Sequence, residues 1–196
     1  MQKEYDVVML GGGLAGLTLS LQLKNERPET SILVIERRAD NAPTAAHKVG
    51  ESTVELGTFY LREVLGLKDY LDEFQLPKYG LRYFFSPEHN NDISRRFEFG
   101  PRGKLPVPSH QIDRGVFEND LVKIVREKGV SCVLGASVKN AELSSEEHVV
   151  TYRNENKEEV VVKAKWVADA TGRASFLKRK LGFEKEVEHK INSAWF

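Results

Sequence analysis

Three glycines near the start of the chain are placed to hold a phosphate. Within VVMLGGGLAGLTLSLQL (Val7–Leu23), Gly11, Gly13 and Gly16 form a G-x-G-x-x-G pattern directly after an apolar run and at the opening of a helical one. The first glycine permits a tight turn, the second lets a pyrophosphate approach the backbone, and the third lets helix and strand pack closely. Exposed N–H groups and the helix dipole then favour the phosphates. Leu14 and Ala15, between the last two glycines, belong to the same cofactor-binding turn. Glu36 ends the next apolar run, with Arg37 after it. A carboxylate there accepts both hydroxyls of an adenosine ribose and repels a 2′-phosphate. The pattern therefore suits NAD or FAD and not NADP.

These residues need a βαβ unit to position them. Tyr5–Leu10 reads as a strand buried on both faces. Leu14, Leu17 and Leu21 recur at helical spacing, with Ala15, Leu19 and Leu23 on a second stripe, so the helix is expected to be covered on two sides. SILVIE (Ser31–Glu36) is the second strand, reached by a right-handed crossover. A polar stretch, RRADNAPTAAHKVGES, leads to two short helices; in the second, Leu67, Tyr70, Leu71 and Phe74 share one face. GLRYFF and ISRRFEF read as strands, the latter with Ile93, Phe97 and Phe99 on one parity. GPRGKLPVPSH is a turn-rich boundary. Asp113 is placed to cap a helix that runs to about Lys128 and stops at Gly129. VSCVLGASVKNAEL, EHVVTYR and EEVVVKAKWVADA read as strands, with a hairpin turn at Asn154–Lys157. INSAWF looks like a strand just beginning, which points to a segment of a longer protein.

Composition excludes several classes. With 29 basic and 29 acidic residues in 196, the formal charge is zero, which argues against a dedicated nucleic-acid binder or a polybasic membrane anchor. A single cysteine, Cys132, rules out an internal disulfide and fits a reducing cytoplasm. No signal-peptide pattern and no apolar run long enough to span a membrane is present. The histidines are scattered and none pairs with Cys132 at metal-ligand spacing, so no metal site is expected.

Three further stretches carry a resemblance. HQIDRGVFENDLVKIVREKGV resembles the Asp-Arg-x-x-Phe-x-x-x-Leu helix of the FAD-dependent hydroxylase, reductase and halogenase superfamily. WVADATGRASFLKRKLG resembles its second flavin signature, in the Asp-Ala-Thr-Gly-Arg form of the reductases and halogenases; aromatic hydroxylases usually carry Asp-Gly there. The resemblance implies FAD as cofactor and a Rossmann-type α/β fold: a parallel sheet, a hairpin or meander insertion, and the start of an antiparallel substrate-domain sheet. It adds Arg114, Val138, Asp169 and Gly172 to the cofactor-binding set. Arg114 also stands in a helix's first turn, where the dipole disfavours a cation, and that supports a ligand role.

Within that superfamily, KVGESTVELGTFYLREVLGLKDYLDEFQLPKYGLRYFF looks like the flavin-dependent halogenases of the tryptophan-halogenase type. Gly50, Glu51, Ser52 and Thr53 match their loop after the second strand, and Lys78 falls where their catalytic lysine stands. The family's Trp-x-Trp-x-Ile-Pro segment and its third flavin motif would lie beyond Phe196. The resemblance implies that reduced FAD, supplied by a separate reductase, uses O2 and a halide to give hypohalous acid. Lys78 would relay or orient it toward an electron-rich small molecule. Two other readings stand: a reductase of the geranylgeranyl-reductase type, and a flavin-binding module without turnover. The expected organisation is an FAD-binding domain at 1–75 and 104–182, with the first substrate-domain strands at 76–103 and 183–196.

Overall fold

The structure is a computed structural model describing residues 3–39, 41–86, 91–101, 103 and 108–189. The INSAWF segment, the middle of GPRGKLPVPSH and the side chain of Ile93 lie outside the described residues. The chain begins with β1 (Glu4–Leu10), α1 (Leu14–Glu26) and β2 (Ile32–Ile35). Then come α2 (Glu55–Phe59), a π-helical turn at Tyr60–Val64, and α3 (Lys68–Phe74). Four short strands follow: β3 (Leu76–Lys78), β4 (Tyr83–Phe85), β5 (Phe97–Phe99) and β6 (Ser109–Gln111). The remainder is α4 (Arg114–Glu127), β7 (Ser131–Val133), β8 (Ser137–Glu142), β9 (His148–Arg153), β10 (Glu159–Asp169) and α5 (Phe176–Lys180).

The main sheet has the order β7-β2-β1-β10-β9-β8. β7, β2, β1 and β10 run parallel, while β10, β9 and β8 form an antiparallel meander. Val8, Met9 and Leu10 of β1 and all four residues of β2 are buried, as continuous apolar strands covered on both faces must be. Val8, Leu10, Leu33 and Ile35 pack in one cluster with Ala141, Val150, Tyr152 and Val162 of the meander.

Packing divides the chain into two compact units, one of Met1–Ser20, Glu29–Asp40 and Gly129–Phe196, the other of Leu21–Pro28 and Asn41–Lys128. The first holds the main sheet. The second holds α2–α4 and two strand pairs, β3 with β6 and β4 with β5. Its core includes Leu61, Leu71, Phe117, Leu121 and Val125. Each such side chain, fully buried, contributes roughly 1.5–3 kcal/mol. Phe117, Leu121 and Val125 recur at helical spacing on α4, and Tyr70 stacks on Phe117 at 5.4 Å.

Three local expectations are corrected, and one strand pair is added to them. The stretch around VSCVLGASV is two strands, β7 and β8, because Gly135 turns the chain at φ +67°. ISRRFEF is a strand only at Phe97–Phe99; Ile93–Arg95 is a 3-10 turn, held by Asp92, whose Oδ1 accepts from Ser94 N–H and Oγ. The second stripe of α1 is covered only in part: Ala15 and Leu19 are exposed and Leu23 is half-buried, while Thr18 and Ser20 are buried with their hydroxyls on carbonyls one turn back. The β3–β6 pair was not anticipated, since Pro77 sits in the middle of β3. Proline is tolerated there because β3 pairs along only one edge.

Candidate functional site

In the first unit, the carboxyl ends of β1, β2 and β10 carry the glycine turn, Glu36 and Asp169. The three glycines have different reasons to be glycine. Gly11 has φ +108°, and a Cβ there would collide with the Ala170 carbonyl, whose own N–H donates to Leu10 O at 2.9 Å. A Cβ on Gly16 would collide with the Gly11 carbonyl, so the third glycine lets α1 seat on the turn. A Cβ on Gly13 would meet no atom within 4 Å. Among the described residues nothing requires a glycine at 13, whereas a pyrophosphate approaching the backbone would. The cradle fits a dinucleotide on this count.

Glu36 does more than sequence reasoning gave it. Its Oε2 accepts from Gly12 N–H at 2.7 Å and its Oε1 from Arg38 N–H at 2.8 Å. The carboxylate thus ties the glycine turn to the end of β2, and each oxygen keeps lone-pair capacity for a ribose hydroxyl. Arg37 is exposed beside it, as is Ala15 at the start of α1, while Leu14 is half-buried. Ala136 N–H donates to Glu36 O at 2.9 Å and Gly135 N–H to Arg38 O at 3.1 Å. That stitching brings the start of β8, with Val138 half-buried against the sheet core, to the same end of the sheet. Asp169 spends its carboxylate on its own turn: Oδ1 accepts from Thr171 N–H and Oγ1, and Oδ2 from Leu177 N–H at 2.7 Å. Burial pulls its pKa upward, but these donors outweigh it and hold the carboxyl below the usual range. Gly172, at φ +60°, completes that turn.

In the second unit, Glu51–Thr53 runs along β6 as a further edge: Ile112 N–H donates to Glu51 O at 2.8 Å and Thr53 N–H to His110 O at 2.9 Å. Gly50 turns the chain at φ +93°, and Glu51 Oε1 accepts from Lys48 N–H. Lys78 reaches this edge from β3, its Nζ donating to Ser52 Oγ at 2.9 Å and to the Thr53 carbonyl. Lys78 and the Gly50–Thr53 loop are thus brought together. Arg114 donates to Val49 O at 2.8 Å and to Glu118, and its Nε is buried with no partner among the described residues.

Sequence reasoning missed Glu118. It is 1% exposed and accepts from both Arg114 and Lys48, fixing the segment before Gly50 to α4. The signal was present: a carboxylate adjoining α4's buried face, four residues after an arginine, demands a cation. It also resolves the poor placement of Arg114 at a helix N-terminus, since the charge is neutralised one turn on.

A parallel sheet with an antiparallel meander, a glycine cradle open at its middle position and an acid closing β2 define a Rossmann-type dinucleotide-binding flavoprotein. The chain belongs to the FAD binding domain family, whose model matches residues 4–196. It is 34% identical over 131 residues to a flavin-dependent halogenase of Dictyostelium discoideum, covering 64% of this chain and 22% of the relative. It is 26% identical over 201 residues to a Pseudomonas fluorescens chlorinase of 1H-pyrrole-2-carbonyl peptidyl-carrier protein, covering 93% and 42%. This chain therefore spans less than half the length of either relative. Among solved structures, a flavin-dependent brominase superposes with TM-score 0.71 at 26% identity, covering 90% of this chain and 40% of that one. A flavoprotein/dehydrogenase of Cytophaga hutchinsonii shares the fold, with TM-score 0.74 at 20% identity and coverage of 94% and 44%. Among the described residues, no helix is long and apolar enough to cross a membrane.

Proposed function

We propose that this chain is the FAD-binding portion of a flavin-dependent halogenase that acts on an electron-rich small molecule. The observation that carries the reading is the placement of Lys78, its ammonium bonded to Ser52 and Thr53 of the Gly50–Thr53 loop. The halogenase relatives support it. In this reading Gly11, Gly13, Leu14, Ala15 and Gly16 hold the pyrophosphate, Glu36 and Arg37 the adenosine, and Val138 its base through the backbone. Asp169 and Gly172 belong to the same cofactor-binding set through the turn they shape, and Gly50–Thr53 and Arg114, in the second unit, are assigned to the flavin by the family resemblance. Residues 1–75 and 104–182 then serve the flavin, and 76–103 with 183–196 begin the substrate domain.

Bound FAD, once reduced, supplies two electrons to O2, and with a halide and a proton this yields hypohalous acid, water and oxidised flavin. The protein's own work is to exclude water and to hold that acid. Lys78 donates an N–H to its oxygen, which polarises the oxygen–halogen bond as an aromatic carbon takes the halogen and water leaves. A cytoplasmic setting and a separate reductase delivering reduced flavin belong to the same reading.

Lys78→Ala is the direct test. Flavin reoxidation by O2 should stay near the wild-type rate while halogenation of any substrate the wild type accepts is abolished, because the lesion falls on the later step. An alanine variant that halogenates normally removes Lys78 from the chemistry. A wild type that never halogenates an electron-rich panel shifts the reading to the reductases.

A further inference from the structure

Lys78 ends β3 opposite Ser109 of β6, and Ser52 bridges Gln111 on the other side of β6. Ser109 and Gln111 are two residues apart and so share a face. The lysine stem therefore crosses β6, and its Nζ meets the loop at Ser52 Oγ, 2.9 Å away, and at the Thr53 carbonyl. Thr53 is a fixed point. Its N–H donates to His110 O at 2.9 Å, and its Oγ1 accepts from His110 N–H at 2.8 Å and lies 2.7 Å from the Oγ1 of buried Thr58. Ser52, by contrast, is exposed. An ammonium has three N–H donors. Two are taken, and the third has no acceptor among the described residues.

We infer that Ser52 is the positioning residue for Lys78. With Thr53 alone the ammonium swings about one acceptor; with Ser52 as the second, its free N–H is held to one direction. The serine hydroxyl spends a lone pair on the lysine and keeps its own proton to donate, so the pair has two donors side by side. The inference rests on the catalytic reading of Lys78 and gives it a second member. It also assigns Ser52 to the lysine, where the sequence resemblance had assigned it to the flavin.

Two measurements on Ser52→Ala and Ser52→Thr test this. The first is trace acetylation of flavin-free protein with site-resolved mass spectrometry. Removing one acceptor of the charged amine should raise the Lys78 rate about fivefold, the worth of one ordinary hydrogen bond, and leave exposed Lys123 unchanged. Threonine, which keeps the hydroxyl, should restore protection. The second is the number of halogenations per flavin reoxidised, which should fall about fivefold in Ser52→Ala and recover in Ser52→Thr. An unchanged acetylation rate shows that the contact does not exist in solution and overturns the inference. Faster acetylation with full halogenation, in a protein where Lys78→Ala is dead, overturns the positioning role alone. A halogenating Lys78→Ala overturns the lysine's role and this inference with it, while the acetylation result still reports the contact.

Discussion

At Gly13 an added Cβ would meet none of the described residues within 4 Å, whereas at Gly16 it would strike the Gly11 carbonyl. The two substitutions should therefore fail differently. Gly13→Val is expected to fold as well as the wild type, since it removes freedom mainly from the unfolded chain, yet to lose FAD because the methyls occupy the pyrophosphate's path. Gly16→Ala should be destabilised by about 1–3 kcal/mol, the usual cost of overpacking, with or without flavin. Thermal melts of both variants, with and without FAD, separate the two effects. Equal melting-temperature losses in the flavin-free variants would count against the division of roles. Gly11 and Gly16 were legible because a tight turn and a close helix–strand approach each require a glycine at a fixed spacing. The partners of Glu36 and Glu118 were not, because a carboxylate's role depends on which N–H groups or cations folding brings to it.

Among the elements, α4 was read best, from cap to stop. Asp113 Oδ1 accepts from Gly115 N–H at 2.8 Å and Val116 N–H at 3.1 Å, and the helix ends before Gly129 at φ +84°. The same carboxylate also accepts from Ala45 N–H at 2.7 Å, which no local pattern announces. Asp113→Ala should thus cost at least the ~1 kcal/mol of an ordinary cap, because a loop N–H is released as well. Urea unfolding of the two proteins checks this; a loss below half that figure would mean that solvent satisfies these donors equally well. Strands were read less well than α4. Gly135 cut one expected strand in two, and Asp92 pulled the start of another into a turn. Short side-chain hydrogen bonds of this kind compete with the ladder, and alternation of apolar residues does not register them. The pairing of β3 with β6 depends on residues more than thirty positions apart, beyond the reach of any local pattern.

Over the whole molecule, opposite formal charges cancel, so stability against pH is set by individual groups. His110 is 2% exposed, its Nδ1 is buried without a partner among the described residues, and Asp72 and Arg62 face it. Burial, aided by Arg62 and opposed by Asp72, lowers its pKa from the ordinary 6.5. The unfolded chain therefore takes up this proton first, and stability declines as pH falls from 6.5 toward the folded value. A second decline lies lower. Asp72, bonded to Arg62 and Lys68, has its pKa lowered from 3.8 to about 2, and Asp6, bonded to Lys165 and Ser31, is also held well below 3.8. Each adds stability that is complete above 3.8 and is lost as pH falls through the depressed value. The melting temperature should accordingly show two separate falls, one below pH 6.5 and one below pH 3.8. His110→Gln, which cannot take up a proton, should flatten the first and leave the second. A variant whose melting temperature drops between pH 7 and 5 as steeply as the wild type's would show that another group governs that window.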